Sequence, residues 1–190
     1  MAKITKISKL EKPNFIKPIS ITYEHEGERK IWEAVISHDA VSILLYNKDR
    51  DAFVLVKQFR PPVLNANKKD GYTYELCAGI IDKKISDKEI AREEALEECG
   101  YDIPLDSIKK VTSYYTSVGI SGARQTLYYA EINDSMIVND GGGLAEENIE
   151  VIYLPVKEAK SFMFNEQYQK TPGLLMGFYW FFDNHFTQTL

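Results

Sequence analysis

Cysteine is nearly absent from this sequence. Only Cys77 and Cys99 occur in 190 residues, and they form no CxxC pair. That excludes a disulfide framework and suits a reducing cytoplasm. Histidine is also scarce. His25, His38 and His185 lie far apart, so neither an HExxH helix nor a triad spacing can be drawn. No Ser or Cys sits in a recognisable nucleophile signature. The longest apolar run, Leu174 to Phe182, is too short to span a bilayer. Residues 1–12 lack an apolar core segment, so no signal peptide is expected. Basic residues form neither a stripe nor a tail, and the net charge is −5. Nucleic acid and membrane surfaces are therefore poor partners for this chain. Gly141-Gly142-Gly143 is not a phosphate loop, because no Gly-Lys-Ser/Thr follows and the next element reads as a strand.

What is present suits one domain with a small appendage. Hydrophobic residues make up 44% of the chain, enough for a sizeable core. Residues 1 to about 14 read as an irregular lead-in. Ile19, Ile21 and Tyr23 alternate with polar residues as a strand does. A turn at His25–Glu28 and a second strand from Lys30 to Ile36 complete a hairpin. An isolated hairpin is marginal in water, so this one should pack on the main domain or on a second subunit. Trp32 within it serves either packing or stacking on a nucleobase. Strands are expected at Ala40–Tyr46, Ala52–Phe59, Tyr72–Ala78, Ile108–Tyr115, Gln125–Ile132 and Ile149–Leu154. Residues 63–71 read as a polar loop. Helices are expected from Ser86, from Pro155 to about Phe164, and from Pro172 to about His185, the last with an aromatic stripe that belongs to the core. Arg60 ends a strand, where it is either a surface charge or a clamp for a diphosphate. The loop from Asn133 to Glu147 is long enough to suggest a functional role.

The most informative stretch runs from Gly79 to Tyr101. Ser86-Asp87-Lys88-Glu89 matches a capping box, and Gly100 fits the helix stop. Glu94, Glu97 and Glu98 share one helix face. They stand near the negative end of the helix dipole. Glu93/Glu97 and Glu94/Glu98 are like-charge pairs costing about 0.2–0.5 kcal/mol each, and no Lys or Arg follows within the helix. A solvated acidic face is one reading. Clustering, cap and stop together favour a second one, a divalent cation held by oxygen ligands, Mg²⁺ or Mn²⁺ in preference to zinc. Cys99 reads as a small buried hydrophobe.

Gly79 to Tyr101 resembles the Nudix box, G-x5-E-x7-R-E-U-x-E-E-x-G-U with U aliphatic. Gly79, Glu94, Glu97, Glu98 and Gly100 fall in register. Ile85 stands in place of the first Glu, and Glu93 in place of the Arg; Arg92 is one residue early, about 100° away on a helix. Gln58–Pro62 and Tyr74–Gly79 resemble the ADP-ribose and nucleoside-diphosphate-sugar branch of that family. Glu75–Gly79, Glu97–Tyr101, Ser117–Gly119, Arg124–Thr126 and Gly141–Leu144 resemble the UDP-sugar diphosphatases most. Val118 and Ala123 stand where ADP-ribose enzymes often carry Pro and Glu.

The resemblance implies an α/β/α sandwich with a mixed sheet (residues 38–190) and an N-terminal hairpin (residues 1–37) for dimerisation and substrate contact. It implies a homodimeric, cytoplasmic hydrolase that cleaves a UDP-glucose-like nucleoside diphosphate sugar to nucleoside monophosphate and sugar 1-phosphate. The alternatives are ADP-ribose hydrolysis or a catalytically weak nucleotide-sugar-binding module, the latter motivated by Ile85 and Glu93. It further implies Mg²⁺ or Mn²⁺ on the Ala78 carbonyl, Glu94 and Glu98, with Glu97 sharing or supporting a second ion. Glu75 would line that site, Arg60 would bind the diphosphate and Trp32 would stack on the base. Glu147 would be the general base, with Glu146 as its neighbour.

Overall fold

The computed structural model describes residues 2–13, 16–144 and 147–186. Two strands, β1 (Lys17–His25) and β2 (Glu28–Ile36), form a separate antiparallel hairpin. Its two-residue turn, Glu26-Gly27, has positive φ at both positions, which matches the twist of the strands it joins. The hairpin is tied to the main body by the loop before β8. Val35 N–H donates to the Ile120 carbonyl at 2.7 Å, and the Ser37 and Ser121 hydroxyls lie 2.9 Å apart.

The main body is a seven-stranded mixed sheet of β3 (Ala40–Asn47), β4 (Ala52–Phe59), β5 (Tyr72–Glu75), β6 (Cys77–Ile80), β7 (Lys109–Tyr115), β8 (Arg124–Ile132) and β9 (Glu150–Pro155). β3 and β8 run parallel; the other pairings are antiparallel. β3 and β4 pair only over Leu45–Asn47 and Ala52–Val54, then part. β5 takes the freed half of β4 and β6 the freed half of β3. The extended stretch expected as one strand from Tyr72 to Ala78 is therefore two strands. The chain crosses between partners at Leu76, which local alternation of residues does not encode.

Side chains alternate across β3 as the pleat requires. Val41, Ile43 and Leu45 face α2 (Asp87–Cys99), where they meet Ile90, Ala91, Ala95 and Cys99. Leu44 faces the other way, toward α3 (Val156–Phe164) and α4 (Pro172–Phe186), and joins Phe53, Phe162, Leu174, Phe178 and Phe181. Each such buried Leu or Phe contributes about 1.5–3 kcal/mol. The aromatic stripe of α4 is core, as expected, except that Tyr179 remains exposed. The result is helices on both faces of one sheet, the sandwich the sequence suggested.

Residues 63–71 are not wholly loop. Pro61–Asn67 forms a short helix, α1. Prolines at its first positions have no N–H to leave unpaired, and their fixed φ is already helical. Among the described residues no helix is long and apolar enough to cross a membrane.

Candidate active site

α2 begins at the expected capping box. Ser86 accepts from Glu89 N–H, and Glu89 Oε2 accepts from Ser86 N–H at 2.8 Å. It ends at Gly100, whose φ of 77° is the left-handed stop. No cation sits in the last turn. The exposed carbonyls there are met by main chain instead. Gly143 N–H donates to the Glu97 carbonyl at 3.0 Å, Gly142 N–H to the Glu98 carbonyl at 2.9 Å, and Val138 N–H to the Gly100 carbonyl at 2.9 Å. The glycine run thus folds across the end of the acidic helix and ties the loop that carries Glu147 to it.

β6 lies alongside this helix. No side chain fits at Gly79, because a Cβ there would run into the Glu94 carboxylate. Glu98 is buried, at 6% exposure, and its Oε2 accepts from Ala78 N–H at 3.0 Å. In an extended strand the N–H and C=O of one residue share an edge, so the Ala78 carbonyl also turns toward Glu98 and away from β3. Burial raises the Glu98 carboxyl to about 7, against the opposing bonds from Ala78 and Cys77, and the charges of Glu94 and Glu147 add to the rise. Glu94 is also raised to about 7, first by burial and then by Glu97, while Lys83 works the other way.

Lys83 was not anticipated as part of this site. It lies in the loop before α2 and forms an ion pair with Glu93 at 2.5 Å. Its own pKa is raised, chiefly by that bond, with Glu97 and Glu94 contributing. The cation missing from the helix is supplied from ten positions upstream, a spacing no helical period would flag. Arg92 plays no such part. Its guanidinium bonds the Ile103 carbonyl at 2.9 Å and Asp102 at 2.6 Å, and so fastens α2 to the segment after it.

Arg60 and Glu75 meet across the end of β4 and β5. Arg60 Nε and Nη2 donate to the two Glu75 oxygens at 2.8 and 2.9 Å, and the Thr73 hydroxyl donates to Oε1 at 2.5 Å. Burial works to raise the Glu75 carboxyl, but the bonds from Arg60 and Thr73 outweigh it and hold its pKa below the usual range. Glu98 and Glu147 also act on Arg60, after Glu75, in raising its pKa. Glu147 sits at the loop's end, where its Oε2 accepts from Leu144 N–H at 2.9 Å. Glu146 lies outside the described residues. Trp32 stands apart on the hairpin. It is half-exposed, and its indole N–H donates to the Gly119 carbonyl at 2.8 Å.

The fold therefore gathers Ala78, Glu94, Glu97, Glu98, Glu75, Arg60 and Glu147 around one end of the sheet, and leaves Trp32 on a separate arm. Among the described residues no three His, Cys, Asp or Glu side chains stand together as a ready-made ion cage. The donor set nonetheless fits a hard divalent cation. It is all oxygen, it includes a strand carbonyl, and the burial of Glu98 and the partial burial of Glu94 raise both carboxyls, a cost that a bound cation would offset.

No protein-family model matches the chain. Curated relatives do. Uridine diphosphate glucose pyrophosphatase NUDT14 of Bos taurus is 39% identical over 88% of this chain and 88% of its own length. The Mus musculus protein of the same name is 38% identical with the same coverage. GDP-mannose pyrophosphatase of Pectobacterium atrosepticum is 37% identical over 71% of this chain and 68% of its own. With such identity over most of its length, and with the box residues standing where the fold brings strand, helix and loop together, the chain belongs to the Nudix hydrolases, among the pyrophosphatases of that family.

Proposed function

We propose that this protein hydrolyses the diphosphate of a nucleoside diphosphate sugar, UDP-glucose-like, to nucleoside monophosphate and sugar 1-phosphate. The observation that carries this reading is the pair of under-neutralised carboxylates, half-buried Glu94 and buried Glu98, facing Gly79 and Ala78 in a chain so similar to UDP-glucose and GDP-mannose pyrophosphatases.

In this reading Glu94, Glu98 and the Ala78 carbonyl hold a divalent ion, Mg²⁺ or Mn²⁺, and Glu97 supports a second. When bound, the ion offsets the charge of the diphosphate oxygens and makes a water easier to deprotonate. Arg60 binds those same oxygens, and Glu75 fixes its guanidinium so that little order must be gained when substrate arrives. One Glu147 oxygen is anchored by Leu144 N–H; the other takes the proton of the attacking water. The water oxygen bonds to phosphorus as the bond from phosphorus to the bridging oxygen breaks. Trp32 offers an indole face to the base.

The hairpin exposes Ile21, Ile31, Trp32 and Ile36. An apolar group of this kind suits a second subunit, and we assign residues 1–37 to dimerisation and substrate contact. Cys77 and Cys99 are free and buried, as suits a reducing cytoplasm. The deciding experiment is a screen of UDP-, GDP- and ADP-sugars and ADP-ribose with Mg²⁺ or Mn²⁺, reading products by mass. Monophosphate plus sugar 1-phosphate is expected. Binding without any release of monophosphate would leave the protein a sensor instead.

A further inference from the structure

A cavity of about 340 Å³ lies on the α4 face of the sheet, at the small end of ligand pockets. Two of its walls, Glu75 and Ala78, also border the acidic site. Its remaining polar lining comes from Ser42, Thr116, Ser117, Gln125 and Thr171, over a floor of Leu76 and Leu174. Gly173, at the start of α4, keeps the space open. A Cβ there would lie 2.7 Å from the Tyr114 hydroxyl and 3.2 Å from Gln125 Oε1.

Ser42 is 2% exposed, and its hydroxyl has no hydrogen-bond partner. The Tyr114 hydroxyl is likewise buried and without a partner. The two lie close enough for Ser42 to oppose the rise that burial causes in the Tyr114 pKa, but short of hydrogen-bond geometry. A buried hydroxyl left unpaired is costly, and native folds seldom keep one without use.

The lining selects among the parts of a nucleotide sugar. A phosphate asks for cations, and none lines this chamber among the described residues. A base asks for a flat ring to stack on, and the described lining side chains are aliphatic, hydroxylic, amide or, at Glu75, carboxylate. A pyranose presents several hydroxyls, each both donor and acceptor. Rotatable Ser and Thr hydroxyls and a carboxamide complement them. We propose that this chamber is the sugar subsite, with Ser42 and Gln125 reading hydroxyls of the hexose and Gly173 setting its width. The inference rests on the nucleoside diphosphate sugar reading above.

The test is calorimetric binding of a hexose 1-phosphate (glucose or mannose) and of uridine monophosphate, with Mg²⁺, to the full-length protein and to Ser42→Ala and Gly173→Ala. Ser42→Ala removes a hydroxyl that has no partner in the fold, so its melting temperature should hold or rise. Its affinity for hexose 1-phosphate should fall about five-fold, the worth of one hydrogen bond. Gly173→Ala should lower it further, and uridine monophosphate should bind both variants as it binds the parent. Unchanged hexose 1-phosphate binding in both variants overturns the subsite. So does a loss confined to uridine monophosphate, which would give the chamber to the nucleoside. Hydrolysis by the parent is scored separately. If it cleaves nucleotide sugars while the variants bind as the parent does, only the subsite falls. If it neither cleaves them nor binds hexose 1-phosphate, both readings fall.

Discussion

Arg60 and Glu75 hold each other through two parallel hydrogen bonds of 2.8 and 2.9 Å. The guanidinium is thus oriented before any substrate arrives. Replacing Glu75 with Gln keeps the shape but sets an amide NH₂ against one of the two donors. Glu75→Gln should raise KM for the diphosphate substrate about ten-fold, with a smaller change in kcat, since the lost contact positions Arg60. Steady-state kinetics at fixed Mg²⁺ checks this, and an unchanged KM would detach Arg60 from substrate binding.

Buried Glu98 and half-buried Glu94 predict an unusual pH response. Glu94 and Glu98 are raised from the ordinary glutamate value of 4.5 to about 7. A carboxyl with a raised folded pKa gives its stability below the unfolded pKa and loses it as pH climbs through the folded one. The metal-free protein should therefore lose stability between about pH 4.5 and 7. Glu75, with its lowered pKa, acts with the opposite sign: its contribution is present above 4.5 and lost as pH falls. Melting temperatures across this range, with chelator present, should decline less steeply in Glu98→Gln than in the parent.

Glu98→Gln also removes an anionic ligand at little structural cost. Mg²⁺-dependent turnover should fall at least 100-fold, and the upward shift in melting temperature on adding Mg²⁺ should shrink. Turnover equal to the parent's would refute the assignment of Glu98 to the ion.

Glu147→Gln should behave differently. Its kcat should drop about 10²–10⁴-fold, the usual contribution of a positioned base, while the Mg²⁺-induced melting shift stays as in the parent. A parental rate would send the proton elsewhere, with Glu146 the next residue to test.

Trp32 bonds Gly119 through its indole N–H and still leaves about half its surface exposed. Trp32→Ala should raise KM about ten-fold if the ring stacks on a base. Trp32→Phe keeps a ring and drops the bond to Gly119. A near-parental KM in Phe would identify stacking as the contribution; equal losses in Phe and Ala would point to the tether with the Gly119 loop.

Much of this site was legible in the sequence because it is local. A cap, three acids on one face and a glycine stop all lie within one helix, and the structure reproduces them. The strand-end position of Arg60 was legible for the same reason. Its bond to Glu75 was not, since β4 and β5 meet only through tertiary pairing. The break at Leu76 and the helix at Pro61–Asn67 also escaped. The first depends on two strands parting, the second on prolines that suit a strand end and a helix start equally well. Lys83 escaped because its partner lies on a different element. The chamber around Ser42 draws on residues scattered from β3 to α4, so no window of sequence could display it.

The glycine run holds Glu147's loop to α2 entirely through main-chain donors at Gly142 and Gly143. Side chains take no part in that anchorage. Both glycines hold positive φ, so it is their backbone freedom, not any side chain, that decides where the loop leaves the helix and hence where the acids of α2 meet the residues that follow.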